Sequence, residues 1–260
     1  MSKYIILLCL FLFGYSNIAV AQLGFSQEIG IIVGPVAFQS DYGERHDFET
    51  NAGNTGMGIG IIHYLDFAFD EFGNYTEETY FNDHFKLRSE LSYNKTELKH
   101  YGHWVNPSKT SLRANQLREM RGSASVTNIG MQLEYFPLSV RDFTSSEGSL
   151  APFISVGGQF CFYNPKTYSN LGPLNTPFST PIKYYNGTTN SGGTVWSIVS
   201  SVGTRYKLSP LSDLMLDLRC QYYFSNWVDG LNPDPTIYTE NRANDWNLWL
   251  NFGYIYYIEY

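Results

Sequence analysis

Apolar and polar residues alternate one for one along much of this chain. In residues 213–224, Leu214, Leu216, Leu218, Cys220, Tyr222 and Phe224 share one parity, and Met215, Asp217, Arg219, Gln221 and Tyr223 the other. Successive side chains of a strand face opposite sides, so this stretch predicts a strand with one apolar and one polar face. Eight runs of this kind recur, at residues 23–38, 56–69, 85–96, 125–136, 151–162, 195–208, 213–224 and 246–260. Alternation alone does not say which face meets water. In a soluble barrel or sandwich the leucines turn inward. In a membrane barrel they face lipid, and the Asp, Arg and Gln fill the lumen.

Length, number and spacing favour lipid. The runs exceed the roughly 5 to 6 residues of an ordinary strand and reach the about 9 to 11 that cross a bilayer at a tilt. Their even number suits a bacterial outer-membrane barrel, for which eight strands is the smallest size. The gaps at 39–55, 97–124, 163–194 and 225–245 are mostly longer than those at 70–84, 137–150 and 209–211. Long external loops and short periplasmic turns alternate in this way, although 70–84 and 137–150 are long for turns. Residues 108–120 predict a short helix within one external loop, with Gly122 as its stop. The last run places Tyr254, Tyr256, Ile258 and Tyr260 on one face, which resembles the terminal signal read by outer-membrane barrel assembly machinery.

Composition sharpens this picture. Tyr 21, Phe 18 and Gly 23 among 260 residues suit a barrel with aromatic girdles. A mean hydropathy of -0.24 excludes a bundle of membrane helices. The formal net charge of -7 argues against a nucleic-acid partner. Residues 1–21 carry Lys3, an apolar run at 4–13 and Ala19-Val20-Ala21, the pattern of a secretory signal peptide. The expected organisation is therefore a signal peptide at 1–21 and one barrel domain at 22–260. The expected location is the outer membrane, with its lipid as a partner. Cys161 and Cys220 fall on opposite faces of non-neighbouring strands and are expected as free thiols.

The polar parity places Glu28, Lys86, Arg88, Glu90, Glu134, Arg205, Lys207, Asp217 and Arg219 in the lumen. Charges removed from bulk water must pair or bind something, and an eight-stranded barrel is just wide enough for side chains to fill. A paired, non-conducting plug is expected, with Gly56, Gly58, Gly60, Gly130, Gly157 and Gly203 making room for long lumenal side chains. Other motifs carry less. Gly56–Gly60 alternates within a strand and is no phosphate loop. His100 and His103 are too few for a structural metal site and read as a solvated pair. Asp229, Asp234 and Glu240 do not match a calcium-loop spacing. In the same loop Trp227, Asp229, Asp234 and Tyr238 are candidates for partner contact. No G-x-S-x-G or joined Ser–His–Asp set is present, and His63 falls on the lipid-facing parity, so no catalytic residue, cofactor or metal is expected.

The stretches "LGFSQEIGIIVGPVAFQSDYG", "NDHFKLRSELSY", "VTNIGMQLEYFPLS" and "DLRCQYYFSNWVDGLNPDP" resemble a family of small outer-membrane barrels of flavobacteria and related Bacteroidota. More loosely, the architecture is similar to that of PorG-like barrels, which serve type IX secretion. The resemblance carries over no functional residue. From the plugged lumen and the lack of a catalytic set, the expected function is that of a non-enzymatic outer-membrane barrel, structural or binding a partner through its external loops or periplasmic turns. The rivals are an accessory of type IX secretion or envelope assembly, an outer-membrane lipid-modifying enzyme, and a soluble secreted sandwich.

Overall fold

The computed structural model describes residues 24–44, 47–51 and 53–258. The expected signal segment and Tyr260 lie outside the described residues. Eight strands close into one antiparallel barrel in sequence order: β1 (Ser26–Gln39), β2 (Thr55–Asp66), β3 (Phe85–Lys99), β4 (Met120–Tyr135), β5 (Leu150–Ser169), β6 (Gly193–Ser209), β7 (Ser212–Tyr223) and β8 (Trp246–Ile258). β8 returns to β1, pairing Ile29 with Tyr256, Ile31 with Tyr254 and Val33 with Phe252, so no sheet edge is left open.

The barrel is inside-out relative to a soluble one. Ile31 (59% exposed), Val156 (60%) and Trp196 (62%) face outward, whereas Arg88, Arg205 and Asp217 are fully buried. This answers the question posed by residues 213–224. Leu214, Leu216 and Leu218 are exposed, and Asp217, Arg219 and Gln221 are buried. Such polarity is that of a membrane barrel and excludes a soluble sandwich with a leucine core.

Aromatic rings ring both ends. At the short-turn end, Phe25, Phe67, Phe81, Phe85 and Tyr135 form a chain with successive centroids 5.2, 5.1, 4.9 and 5.2 Å apart. At the long-loop end, Phe160 packs against Phe162 and Trp196, and Tyr222 against Phe224.

Three strands outrun the alternating pattern. β3 continues to Lys99, β4 begins at Met120 and β5 extends to Ser169, all at the long-loop end. The added residues, such as Glu97, Arg121 and Lys166, stand beyond the apolar belt, so one-face alternation does not mark them. The expected helix is present at Leu112–Glu119, with the Ser111 side chain accepting from the Ala114 amide as N-cap. Its stop differs from expectation: the chain turns into β4 at Met120, and Gly122 sits within that strand. The turn at 210–211 joins β6 to β7 directly.

Candidate functional site

The lumen gathers charges from six strands. Lys86 Nζ bridges Glu28 and Asp66 Oδ2, the latter at 2.7 Å. Arg205 reaches Glu28 (2.6 Å), Glu134 (3.3 Å) and Asp213 (3.6 Å), and Lys207 pairs with Asp213 at 3.3 Å. Arg88 reaches Glu90 (2.8 Å), Asp217 (3.1 Å) and Glu134 (3.4 Å). Arg219 grips Glu90 with two parallel bonds of 2.6 Å, the fork geometry that suits guanidinium and carboxylate.

Cation faces add to this. The Arg205 guanidinium lies 4.0 Å from the Tyr64 ring centroid and Lys207 Nζ 3.6 Å from that of Tyr257. Toward the long-loop end the charges give way to amides, where Gln221 Nε2 donates to Asn128 (3.0 Å), Gln159 (3.1 Å) and Ser197 (2.9 Å). Buried Phe38, Leu98, Val126, Tyr223, Val228 and Leu231 close the column. Trp249 also turns inward, and a Cβ on Gly58 would collide with its ring. Space left by that glycine therefore goes to an aromatic ring rather than to a charged chain.

All nine residues placed in the lumen by parity, Glu28, Lys86, Arg88, Glu90, Glu134, Arg205, Lys207, Asp217 and Arg219, meet in this column. Asp66 and Asp213 join them without having been singled out. Their signal was available, since Asp66 shares parity with Tyr64, and Asp213 with Asp217.

Above the lumen the long loops build a compact cap. Asn226 and Asn241 donate to the two oxygens of Asp41 at 2.8 and 2.9 Å. Asp229 accepts from the backbone N–H of Asp41 (2.6 Å) and Leu231 (2.7 Å), and Asp245 from those of Val228 (2.9 Å) and Asp229 (3.2 Å). Tyr184 ties in the loop after β5 by donating to the Asp41 carbonyl at 2.9 Å. Burial and the nearby Asp41 carboxylate hold Asp229 well above the usual carboxylate range. Burial and Asp229 do the same to Asp245.

These placements correct the expected partner face. Asp229 is fully buried and turned into the cap, so it cannot touch a partner. A loop carries no periodicity, and its sequence does not tell an inward aspartate from an outward one. Trp227 is half-buried, Asp234 is exposed and accepts from Thr236, and Tyr238 is half-buried under Lys183 Nζ at 5.4 Å. Asp229, Asp234 and Glu240 do not converge, and among the described residues no group of three or more His, Cys, Asp or Glu could hold a metal ion.

His100 is likewise no solvated surface residue. Its ring lies between Tyr42 (5.0 Å) and Tyr184 (5.5 Å), and burial pushes its pKa down to about 3. It forms part of the wall of a crevice of about 220 Å³ between the loops after β1, β3, β5 and β7. Tyr101 and Trp104 form another part. Tyr101 donates to the Gly53 carbonyl at 3.2 Å. Gly53 has φ 112°, a conformation that favours glycine, and a Cβ there would press on the Tyr101 ring. Two held carboxylates complete the rim: Trp104 Nε1 donates to Glu44 at 2.8 Å, and Lys183 Nζ to Glu240 at 2.8 Å.

His63 projects outward from β2 near the short-turn end, with Nε2 3.0 Å from Gln27 Oε1. Ser89 is its partner across the strand pair. Cys161 is buried in the lumen, Cys220 lies on the outer face, and both are free.

The chain matches no family model and no curated protein. Among solved structures it is similar to a major outer membrane protein of Thermus thermophilus, at 12% identity over 89% of this chain and 99% of that one, with a TM-score of 0.48. It is also similar to the Neisserial surface protein A, NspA, at 14% identity over 89% and 97%, with a TM-score of 0.45. A third is the outer membrane protein OprG of Pseudomonas aeruginosa, at 10% identity over 90% and 98%, with a TM-score of 0.41.

Proposed function

We propose that this chain is a non-enzymatic outer-membrane barrel that displays a binding cap and conducts nothing. The observation that carries the reading is the lumen. Carboxylates and cations pair with one another along it, and buried apolar side chains close it at the cap end. The apolar outer belt supports residence in lipid, and the long loops then face outward, where binding is their natural task. Two measurements test this. The purified barrel should run differently on gels unboiled and boiled, and should give no sustained current in planar bilayers. A steady, ion-selective channel would overturn the plug.

Catalysis has little support in the geometry. The outward-facing His63 is engaged with Gln27, and among the described residues no carboxylate is bonded to its ring. Unchanged lipid A and phospholipid profiles in a deletion strain are the expected result. A role in type IX secretion or envelope assembly is favoured by one observation, the exposed Phe72 (76%) and Tyr75 (62%) at the short-turn end. Co-purification of secretion proteins after mild crosslinking would support it, and a deletion strain with normal secretion would sink it.

A further inference from the structure

The crevice in the cap has a chemistry that the binding reading leaves unnamed. We infer that it is a saccharide site that takes one terminal sugar residue by its ring face and hydroxyls. The inference rests on the reading that the cap faces outward.

Three features converge. The first is aromatic surface. Trp104 lines the crevice with Tyr101 and remains 48% exposed. The His103 ring lies 4.2 Å from its own and Lys109 Nζ 4.4 Å over it, so the C–H face of a sugar takes the ring surface those two leave or displaces the Lys109 chain. The second is a mixed polar rim. Glu44 is held by Trp104, and Glu240 by Lys183 and its own backbone N–H, and a carboxylate has lone pairs to spare for hydroxyls. Lys183 supplies a donor beside them.

The third is His100. Its ring bonds the Tyr42 backbone, and among the described residues its Nε2 has no partner. In the neutral ring a nitrogen that does not donate is an acceptor; this one has almost no accessible surface, so a ligand hydroxyl reaches it only once the wall around it shifts.

Other ligand classes fit less well. A quaternary ammonium would use the rings, but it has no donor for His100 and would meet Lys183. An anion would meet Glu44 and Glu240. A neutral, hydroxyl-rich ligand uses acceptors, donor and rings together. The volume of about 220 Å³ lies below the roughly 300 Å³ at which drug-sized pockets begin. One ring fits, and an extended chain does not. The sugar could be free or the end of an envelope glycolipid, since both present the same chemistry.

The test uses the full chain, folded in detergent micelles and checked by its gel shift. It is probed with an array of neutral, amino and acidic oligosaccharides coupled through their reducing ends. Binding to array sugars is expected. Trp104→Ala and Glu44→Gln should each weaken it at least about tenfold, and Trp196→Ala, on the lipid-facing belt, should leave it unchanged. His100→Phe keeps a ring but removes the acceptor, and should also weaken binding.

Competition by a released glycan and by the glycolipid in micelles separates the two sources, and either result supports the site. A barrel that shifts on gels but binds no array sugar, or binds equally well as Trp104→Ala, overturns the inference alone. Displacement by tetramethylammonium chloride would also overturn it, in favour of a cation site. Loss of the gel shift in the unmutated chain would instead sink the barrel reading beneath it.

Discussion

The lumen and the cap are both buried and both rich in carboxylates, yet they neutralise those carboxylates differently. In the lumen, Glu28, Asp66, Glu90, Glu134, Asp213 and Asp217 face Lys86, Arg88, Arg205, Lys207 and Arg219. In the cap, Asp229 and Asp245 accept backbone N–H groups, and among the described residues neither forms an ion pair. Strands can place a cation opposite an anion because their register is fixed over the whole barrel. Loops offer free backbone donors instead, and an aspartate that collects them fixes the loop's path. Charge pairing thus fills the barrel, and backbone capping shapes the cap.

The largest expected effect tests the lumen side of this contrast. Arg219→Ala strips Glu90 of its two-bonded partner and leaves a buried charge, which costs about 3–5 kcal/mol. Urea midpoints for folding into lipid vesicles would measure it. A loss no larger than that for a cap residue would break the contrast. Next, Leu216→Arg puts a charge against lipid and costs roughly 2–4 kcal/mol near the midplane. Harmless insertion of this variant would reverse the facing of every strand.

On the cap side, Asp245→Ala orphans the amides of Val228 and Asp229, at about 1–3 kcal/mol per unsatisfied buried group. The effect should stay local: faster protease nicking within residues 224–245, with the gel shift retained. Asp245→Asn keeps an oxygen acceptor and should be milder.

The smallest effect is in the pH dependence of the cap. Asp229 and Asp245 are raised, so the folded cap keeps protons that the unfolded chain has released above about pH 3.9. Their contribution therefore grows as pH falls toward that value and is lost as pH rises through their folded pKa values. His100, pushed down to about 3, acts in the opposite sense. Its neutral ring stabilises the cap above the unfolded value of about 6.5, and that contribution is lost between there and about 3. Replacing His100 with Gln removes the opposing part. Hydrogen exchange of the 224–245 amides, corrected for intrinsic pH effects, should then slow as pH falls through the folded pKa values of Asp229 and Asp245 toward about 3.9. Unchanged exchange would mean that the aspartates do not govern the cap.

The barrel was legible because strand geometry writes itself into parity. Leu216 and Asp217 are neighbours in sequence and opposites in environment, and this alternation carried the strand count, the facing and most of the charge column. Asp66 and Asp213 obey the same rule at strand ends, where the apolar partner face thins out and draws less notice. Trp249 departs from the expectation that the lumenal glycines make room for long charged side chains, because a buried ring fills the space beside Gly58. The cap was not legible. Asp229 and His100 owe their burial to contacts between loops far apart in the chain, such as Tyr184 with Asp41, and no local period reports such a meeting.

Of the three cysteines, the two among the described residues, Cys161 and Cys220, occupy opposite sides of one barrel wall. Cys161 sits among Gln221 and Ser197 within the closed column, while the thiol of Cys220 looks out from β7. The native chain therefore carries its own pair of chemical reporters, one shielded and one turned to the bilayer. A lipid-soluble alkylating reagent should mark Cys220 in the folded protein, and Cys161 should become reactive only when the wall opens. The ratio of the two labels would follow insertion and unfolding strand by strand, with no residue replaced.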